Sequence, residues 1–476
     1  MKLSLKNAAR IAYAVCVLGI LMIPGAVTVF RGNKTAEPDN AENRTLAAFP
    51  ETRTEDGSLN RNYFSELEAW FSEHFALRSE LVTAYGTLSR SVFGVSPEPD
   101  VIIGKDGWLY YAETVDDITG VQTCTDREIA HMRHNLELMQ EYTEAHGAKL
   151  IVAVAPDKGS IYPQHLPARY LQTGGKNNLD ALYEALKPTG ISVCDWRGAL
   201  QSHAGDRQLY HKLDTHWNND GAMLGYDTLM QTAGLDSMGF SGTARTETHD
   251  WTGDLWKMLS PTQERPDDNS AYALPQTWKA VGRMRSVDDI TIRTTCSDGD
   301  RSLLIFRDSF ARALIPMLSQ RFASCTYSRA EAVPLDLLET AQTDFVVYER
   351  VERELRDLVL HAPQMPAPVR DLTLPQTDAG RHPVLTAEPA GAYLHCSGAF
   401  AAEYGDCDAV YVTVNGTSYE AFLCCETEDA HDANGFALYL PADAFRTGDA
   451  LTVTVLRGGT LFDAGTVAAQ ITEPTA

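Results

Sequence analysis

Helical and extended patterns alternate along the middle of the chain, and that alternation restricts the fold more than any single motif. A helix is expected over 125–145, closed by Gly147, and the apolar run 149–155 follows it as a strand. A second pair comprises a helix over 178–186 and a strand near 191–194. Further helix and strand patterns run through 226–232, 303–306, 314–318 and 345–348. Strands joined by helix-length crossovers pair in parallel, and a parallel sheet is covered on both faces. The expected body is therefore α/β, a mostly parallel sheet flanked by helices, with its functional residues on loops at strand ends.

Two segments of this body carry a recognisable chemistry. In the pentapeptide DTHWN, 214–218, residues two apart present their side chains on the same side of an extended or tightly looped backbone, so Asp214 can reach the His216 ring. That contact fixes the imidazole tautomer and leaves the other nitrogen free as a base. Ser309 follows the apolar run 303–306 in SLLIFRDSFARAL and precedes a helical pattern, so its hydroxyl is expected at a sharp turn beside free backbone N–H groups. Ser309 as nucleophile, His216 as base and Asp214 as orienting carboxylate would make one acyl-transfer site. His211, Asp214 and His216 offer a divalent-metal alternative, but no further ligand cluster accompanies them and Ser309 would then be unexplained, so no metal is expected.

At these residues the chain resembles the SGNH-hydrolase-like proteins of the alginate O-acetyltransferase group, of AlgJ and AlgX type, with the related DHHW proteins. That group carries Asp and His in a D-x-H-W motif and its nucleophile in a much later D-S-F or D-S-Y motif. The stretches AENRTLAAFPE (41–51), WFSEHFALRSEL (70–81), VIIGKDGWLYY (101–111), APDKGSIYPQHLP (155–167), TGDLWKML (252–259) and FVVYERVEREL (345–355) carry the same resemblance, which covers roughly residues 41–360. Arg307 stands where the common motif has glycine, and Thr215 where the DHHW name has histidine. The resemblance implies an SGNH-hydrolase-like, flavodoxin-like sheet and a serine O-acetyltransferase that forms an acetyl-serine. It also implies a polysaccharide acceptor and a separate membrane-bound O-acyltransferase as acetyl donor, while the sequence itself implies no cofactor. A carbohydrate acetylesterase with the same triad, or a catalytically silent glycan-binding subunit, are the alternatives.

Five further residues are candidates for substrate contact. Lys158 and Tyr162 follow a predicted strand, Trp217 could wall the pocket or stack on a sugar, Arg307 could meet an anionic group, and Tyr348 ends another predicted strand. Each has an ordinary structural reading beside the functional one.

The formal charge of −24 would repel nucleic-acid phosphates and argues against nucleic acid as a partner. Residues 11–30 carry no formal charge and follow Lys2, Lys6 and Arg10, which reads as a membrane-spanning anchor with an extracytoplasmic catalytic body. A cleaved signal peptide is the alternative. The expected organisation is a cytoplasmic start and anchor over 1–31, then a tether and amphipathic helical segment over 32–100. The catalytic domain follows over 101–365, and a small β-sandwich-like domain, a carbohydrate-binding module or a structural cap, over 376–476. Apolar residues at helical spacing over 59–92 are expected to pack on the catalytic body, 102–111 to form a hairpin, and 234–302 to be an insertion carrying surface loops. Of nine cysteines, Cys16 lies in the anchor; the other eight permit disulfides, with Cys296 and Cys325 one possible meeting, or remain free thiols.

Overall fold

The computed structural model describes residues 46–372, 383–426 and 434–472, except 55, 56, 122 and 171–175, together with scattered positions between 10 and 27. The predicted tether, Cys16 and part of the predicted anchor lie outside the described residues. Among those described, no helix is long and apolar enough to cross a membrane.

Seven strands build the central sheet: β1 Lys149–Ala155, β2 Ser192–Cys194, β3 Lys279–Ala280, β4 Thr291–Thr295, β5 Ser302–Phe306, β6 Ser324–Ser328 and β7 Phe345–Val351. Their spatial order is β2-β1-β7-β5-β6-β4-β3. The first five in that order are parallel, and β4 and β3 extend one edge antiparallel. Taken in chain order, the parallel strands run 2-1-5-3-4, whereas a flavodoxin-like sheet runs 2-1-3-4-5. The flavodoxin-like order is therefore corrected. β7 takes the centre because its FVVY run is apolar on both faces and every residue of the strand is buried. In register, Val347 lies between Ile151 and Ile305.

Side-chain alternation then divides the core in two. Ile151, Ala153, Ile305 and Val347 face one cluster, while Leu150, Val152, Leu304, Val346 and Tyr348 face the other. Helix Asp126–Ala145 covers the second face, started by a capping box between Thr125 and Glu128. Helices Trp196–His203 and Asn219–Ala233 cover the first through Trp196, Leu200, Tyr226 and Leu229.

The stretch 234–302 does more than carry surface loops. It forms the hairpin Arg245–Thr252 with Pro266–Tyr272, the short helix Asp254–Leu259, and the two edge strands β3 and β4. The predicted hairpin at 102–111 is present as Val101–Ile103 paired with Leu109–Tyr111. The helical segment differs from expectation. Helices Tyr63–His74 and Arg78–Leu88 leave Phe64, Phe71, Tyr85 and Leu88 exposed. Contact with the body is made by small and polar residues instead: Gly86 lies so close to the Leu259 carbonyl that a Cβ would sit 2.4 Å from its oxygen, and Arg90 donates to Ser260 Oγ at 2.8 Å.

Beyond the α/β body, antiparallel sheets of five and three strands enclose a core that includes Leu394, Val410, Val412, Phe436, Leu438 and Val453. Asn135 ties this unit to the body. Its Nδ2 donates to the carbonyls of Leu358 and Leu423 at 2.7 and 3.0 Å, and its Oδ1 accepts the Leu423 N–H at 2.9 Å. All eight described cysteines are free, and Cys296 is held by the Thr277 hydroxyl at 3.2 Å rather than by Cys325.

Candidate active site

The carboxyl ends of β1, β5 and β7 lie side by side, so the loops that leave them meet at one edge of the sheet. After β5 the chain turns sharply, and Asp308 fixes that turn. Its Oδ1 accepts the Phe310 N–H at 2.7 Å, and its Oδ2 accepts the Val351 N–H at the end of β7 at 2.6 Å. The Asp308 N–H in turn donates to Glu349 Oε2 at 2.9 Å. Ser309 caps a 3-10 turn, Phe310–Leu314, and the α-helix begins only at Ile315. The hydroxyl of Ser309 is thereby set on a turn anchored to the central strand.

Asp214 and His216 reach this serine from a separate closed loop. The Asn218 N–H bonds to the Leu209 carbonyl at 3.0 Å and the His211 N–H to the His216 carbonyl at 3.3 Å. Within the loop, His216 Nδ1 lies 2.7 Å from Asp214 Oδ1, and Nε2 lies 2.8 Å from Ser309 Oγ. The three side chains form one hydrogen-bonded chain: carboxylate, imidazole, hydroxyl. With Nδ1–H given to the carboxylate, Nε2 presents a lone pair to the serine hydroxyl. His216 and Ser309 are partly exposed, so the chain ends at a surface that substrate can reach.

The hairpin and the short helix between its two strands hold Asp214 in place, and this was not read from the sequence. Asp214 Oδ2 accepts Trp251 Nε1–H at 2.9 Å and the Asp254 N–H at 3.1 Å. Asp254 Oδ1 accepts the Thr215 N–H at 2.8 Å, and Oδ2 accepts the Thr215 hydroxyl at 2.6 Å and lies 3.6 Å from His216 Nδ1. Asp267 Oδ2 accepts the Leu213 N–H at 2.7 Å. The stretch TGDLWKML, 252–259, was visible only through the resemblance; its two contributing residues are a backbone-hugging glycine and one carboxylate.

These contacts set the protonation states. Burial would raise the Asp214 carboxyl, but the charge and hydrogen bonds of His216, with His211 beyond, outweigh it and hold it well below the usual range. For His216 burial acts downward, and the charge and hydrogen bond of Asp214, joined by Asp254, raise the imidazole above its ordinary value. Asp254 is itself raised, by burial first and then by the charge of Asp214. A base must be neutral to accept a proton, so activity should rise with pH through a midpoint above the ordinary imidazole value of 6.5. Asp254→Asn removes one of the charges that raise His216, and the midpoint should move down; pH profiles of acetyl-ester turnover check both.

Asp214, His216 and Asp254 each offer one ligand atom within 4.8 Å of the others, a spacing open to a cation. The atoms concerned are already spent within the chain, Asp214 Oδ1 on His216 and Asp254 Oδ2 on Thr215. His211, the other ligand considered from sequence, turns away to the Asp268 carbonyl at 3.1 Å and stacks on Trp251.

The five residues expected to touch substrate are placed otherwise. Lys158 is buried, and its ammonium donates to the carbonyls of His211, Lys212 and Asp214 at 3.1, 3.2 and 2.7 Å, so it clamps the loop from inside. Burial lowers this amine to about 8 against the pull of Asp254 and Asp214. Lys158→Met would leave those carbonyls short of a donor and should lower stability by about 2 kcal/mol in denaturant unfolding. Tyr162 is buried and accepts the Leu209 N–H at 2.9 Å. Trp217 is buried between Trp196 and Phe310, and its Nε1–H donates to the Phe310 carbonyl at 3.0 Å. Arg307 is buried and donates to the carbonyls of Val287 and Asp289 instead of to a carboxylate. Tyr348 lies in the core on the helix 126–145 face, under Arg350. In each case the side chain is taken up by backbone carbonyls, a backbone N–H or core packing.

Residues 101–284 match the model of a family described as SGNH hydrolase-like domain, acetyltransferase AlgX. Over that span the chain is similar to an SGNH hydrolase-like domain. Asp214, His216, Trp251 and Asp254 fall inside the matched span and Ser309 beyond it. The chain is 27% identical over 217 residues to the probable alginate O-acetylase AlgJ of Pseudomonas syringae pv. tomato, which is 45% of this chain and 49% of the relative. To the AlgJ of Pseudomonas aeruginosa it is 26% identical over 186 residues, 37% of this chain and 43% of the relative. The chain thus spans about half the length, or less, of these curated relatives. Among solved structures, Bacillus cereus PatB1 is similar with a TM-score of 0.43 and 16% identity, covering 54% of this chain and 96% of that one. Pseudomonas aeruginosa AlgX has a TM-score of 0.36 and 14% identity, covering 81% and 99%.

Proposed function

We propose that this SGNH hydrolase-like domain transfers acetyl groups through an acetyl-Ser309 intermediate to hydroxyls of a cell-surface or secreted polysaccharide. The observation that carries the reading is the continuous chain from Asp214 through His216 to Ser309, with contacts of 2.7 and 2.8 Å. His216 Nε2 accepts the Ser309 proton as Oγ attacks the acetyl carbonyl, and Asp214 stabilises the imidazolium that forms. The negative charge developing on the carbonyl oxygen needs donors already in place. The Ser309 N–H, which has no hydrogen-bond partner among the described residues, is one. His216 then returns its proton to the leaving group. In the second half-reaction it deprotonates the acceptor hydroxyl that takes the acetyl group, regenerating Ser309.

The apolar run 11–30 supports a membrane-anchored, extracytoplasmic placement for the domain. Acetyl groups would then come from a separate membrane-bound O-acyltransferase, since a single anchor cannot export them. The same acetyl-serine also yields to water, so an acetylesterase is the competing outcome of the site.

The test is mass spectrometry of the intact chain after exposure to an activated acetyl ester, parent beside Ser309→Ala. One added acetyl group mapped to Ser309 is expected, absent from the variant and discharged by added oligosaccharide. Discharge at the same rate with and without oligosaccharide would establish the esterase. A folded parent that neither labels nor turns over the ester would overturn acyl transfer altogether.

A further inference from the structure

Of the chain's seven tryptophans, all among the described residues, only Trp251 is exposed, at 39%. A single exposed ring is ordinary on a protein surface. This one is held fixed beside the acyl-transfer site. Its Nε1–H donates to Asp214 Oδ2 at 2.9 Å, and its ring stacks on that of His211, with centroids 4.6 Å apart and planes 6° from parallel. His211 is buried and tied through Nδ1 to the Asp268 carbonyl at 3.1 Å, so one face of the indole is covered by an anchored side chain. The exposed area therefore lies on the opposite face and along the ring edge.

The backbone is irregular just before this residue. Strand Arg245–Thr252 pairs with Pro266–Tyr272, and the register slips between Thr248, opposite Asn269, and Trp251, opposite Asp267, leaving one extra residue on the tryptophan strand. A bulge of this kind re-aims the side chains around it, and bulges are common beside active sites. From the ring to the nucleophile runs a path of three hydrogen bonds, 2.9, 2.7 and 2.8 Å, through the Asp214 carboxylate and the His216 imidazole to Ser309 Oγ. A short run of linked sugars covers that separation, so a ring on Trp251 and a hydroxyl at Ser309 can belong to one glycan. The charge around the indole is negative. Glu247, Asp250 and Asp268 are exposed on the hairpin, while Arg245, the one arginine of its two strands, is bound through Nε and Nη2 to Asp220 at 2.8 Å. A sugar bearing a carboxylate would be repelled there.

We propose that Trp251 is a stacking platform for an uncharged pyranose of the acceptor chain, a few sugars away from the hydroxyl that receives the acetyl group. The C–H face of a pyranose is apolar and its hydroxyls lie around the rim, so a fixed indole meets that face over a broad flat area with little loss of side-chain freedom. One residue then has two roles: its N–H holds Asp214, and its open face holds the acceptor. The proposal rests on the reading of a glycan acceptor at Ser309 and adds which kind of sugar is held there and by what contact.

Two variants separate these roles in the full chain carrying Ser309→Ala, where binding is read without turnover. Trp251→Phe and Trp251→Leu both lack the N–H that Asp214 accepts, but only phenylalanine keeps a flat ring. The probes are an uncharged β-1,4-linked glucose hexasaccharide and a β-1,4-linked mannuronate hexasaccharide, which carries a carboxylate on each ring. In calorimetric titration the uncharged probe should bind the Trp251→Leu chain about tenfold more weakly than the chain that keeps Trp251, and the Trp251→Phe chain should stay within about threefold of the latter. A second measurement needs no substitution at 251: on oxidation by N-bromosuccinimide, mapped by mass spectrometry, Trp251 should react first and the uncharged hexasaccharide should protect it. Equal affinities of the phenylalanine and leucine variants in chains that melt normally, no protection of Trp251, tighter binding of the mannuronate probe, or no binding of the uncharged one overturns the proposal. A parent that fails to acetylate Ser309 would defeat the acyl-transfer reading but leave this binding result standing.

Discussion

His216→Ala is expected to slow acetylation of Ser309 by on the order of 10⁴-fold, close to the effect of removing the serine itself, because the two residues act as a unit. Without the imidazole, Ser309 Oγ has no base within 2.8 Å and attacks as a neutral alcohol. Asp214→Asn should cost on the order of 10³-fold or more although it keeps the shape of the side chain. The Asp214 carboxylate accepts four donors: the ring and backbone N–H of His216 on Oδ1, and Trp251 Nε1–H and the Asp254 N–H on Oδ2. An amide has one accepting oxygen, so one pair of donors would confront an NH₂ group. If that pair is on the His216 side, the tautomer that frees Nε2 is lost. Burst kinetics with an activated acetyl ester measure both variants; a burst of parental size in His216→Ala would remove His216 from the mechanism.

Segments whose structure follows from near neighbours were legible in the sequence. The run KLIVAVA became β1 over Lys149–Ala155, and the helix expected over 125–145 became Asp126–Ala145 behind its capping box. Asp214 and His216 were visible as a pair because they lie two residues apart, and Ser309 because an apolar run stops just before it. The strand order was not legible. Inserting β7 between β1 and β5 depends on contacts between residues some two hundred positions apart, which no local pattern encodes. Lys158, Tyr162, Trp217 and Arg307 misled for a related reason. A charged or aromatic residue after a strand looks the same in sequence whether it meets a ligand or a backbone carbonyl, and here the partners are carbonyls and an N–H supplied by remote loops. Trp251 and Asp254 were hidden the other way. They sit in a polar, turn-rich stretch that reads as surface, yet their indole and backbone N–H groups are the outer partners of Asp214.

That dependence on 251–254 makes Gly253→Ala the most damaging small substitution away from the hydrogen-bonded chain itself. The backbone φ at Gly253 is −72°, which any residue adopts, so the demand is for space and not for conformation. A Cβ there would stand 2.0 Å from the Leu213 oxygen, 2.3 Å from its carbonyl carbon and 2.9 Å from the Asp214 nitrogen. All three are backbone atoms of the loop that carries Asp214, and no rotamer change relieves them. Either the hairpin side or the 213–214 side must move. Movement of the first withdraws Trp251 and the Asp254 N–H from Asp214, and movement of the second draws Asp214 from His216. Displacements near 1 Å at a site of this kind cost about 10²-fold in rate, and the overpacking itself should lower stability by about 1–3 kcal/mol. Ester turnover and denaturant unfolding of Gly253→Ala measure the two losses. Lys158→Met acts on the same loop from its other side, by loss of hydrogen bonds and without a clash, and should show the smaller loss of rate. A Gly253→Ala variant with parental turnover would mean that the 251–254 segment does not hold Asp214 in its working position, and the support assigned to Trp251 and Asp254 would fall with it.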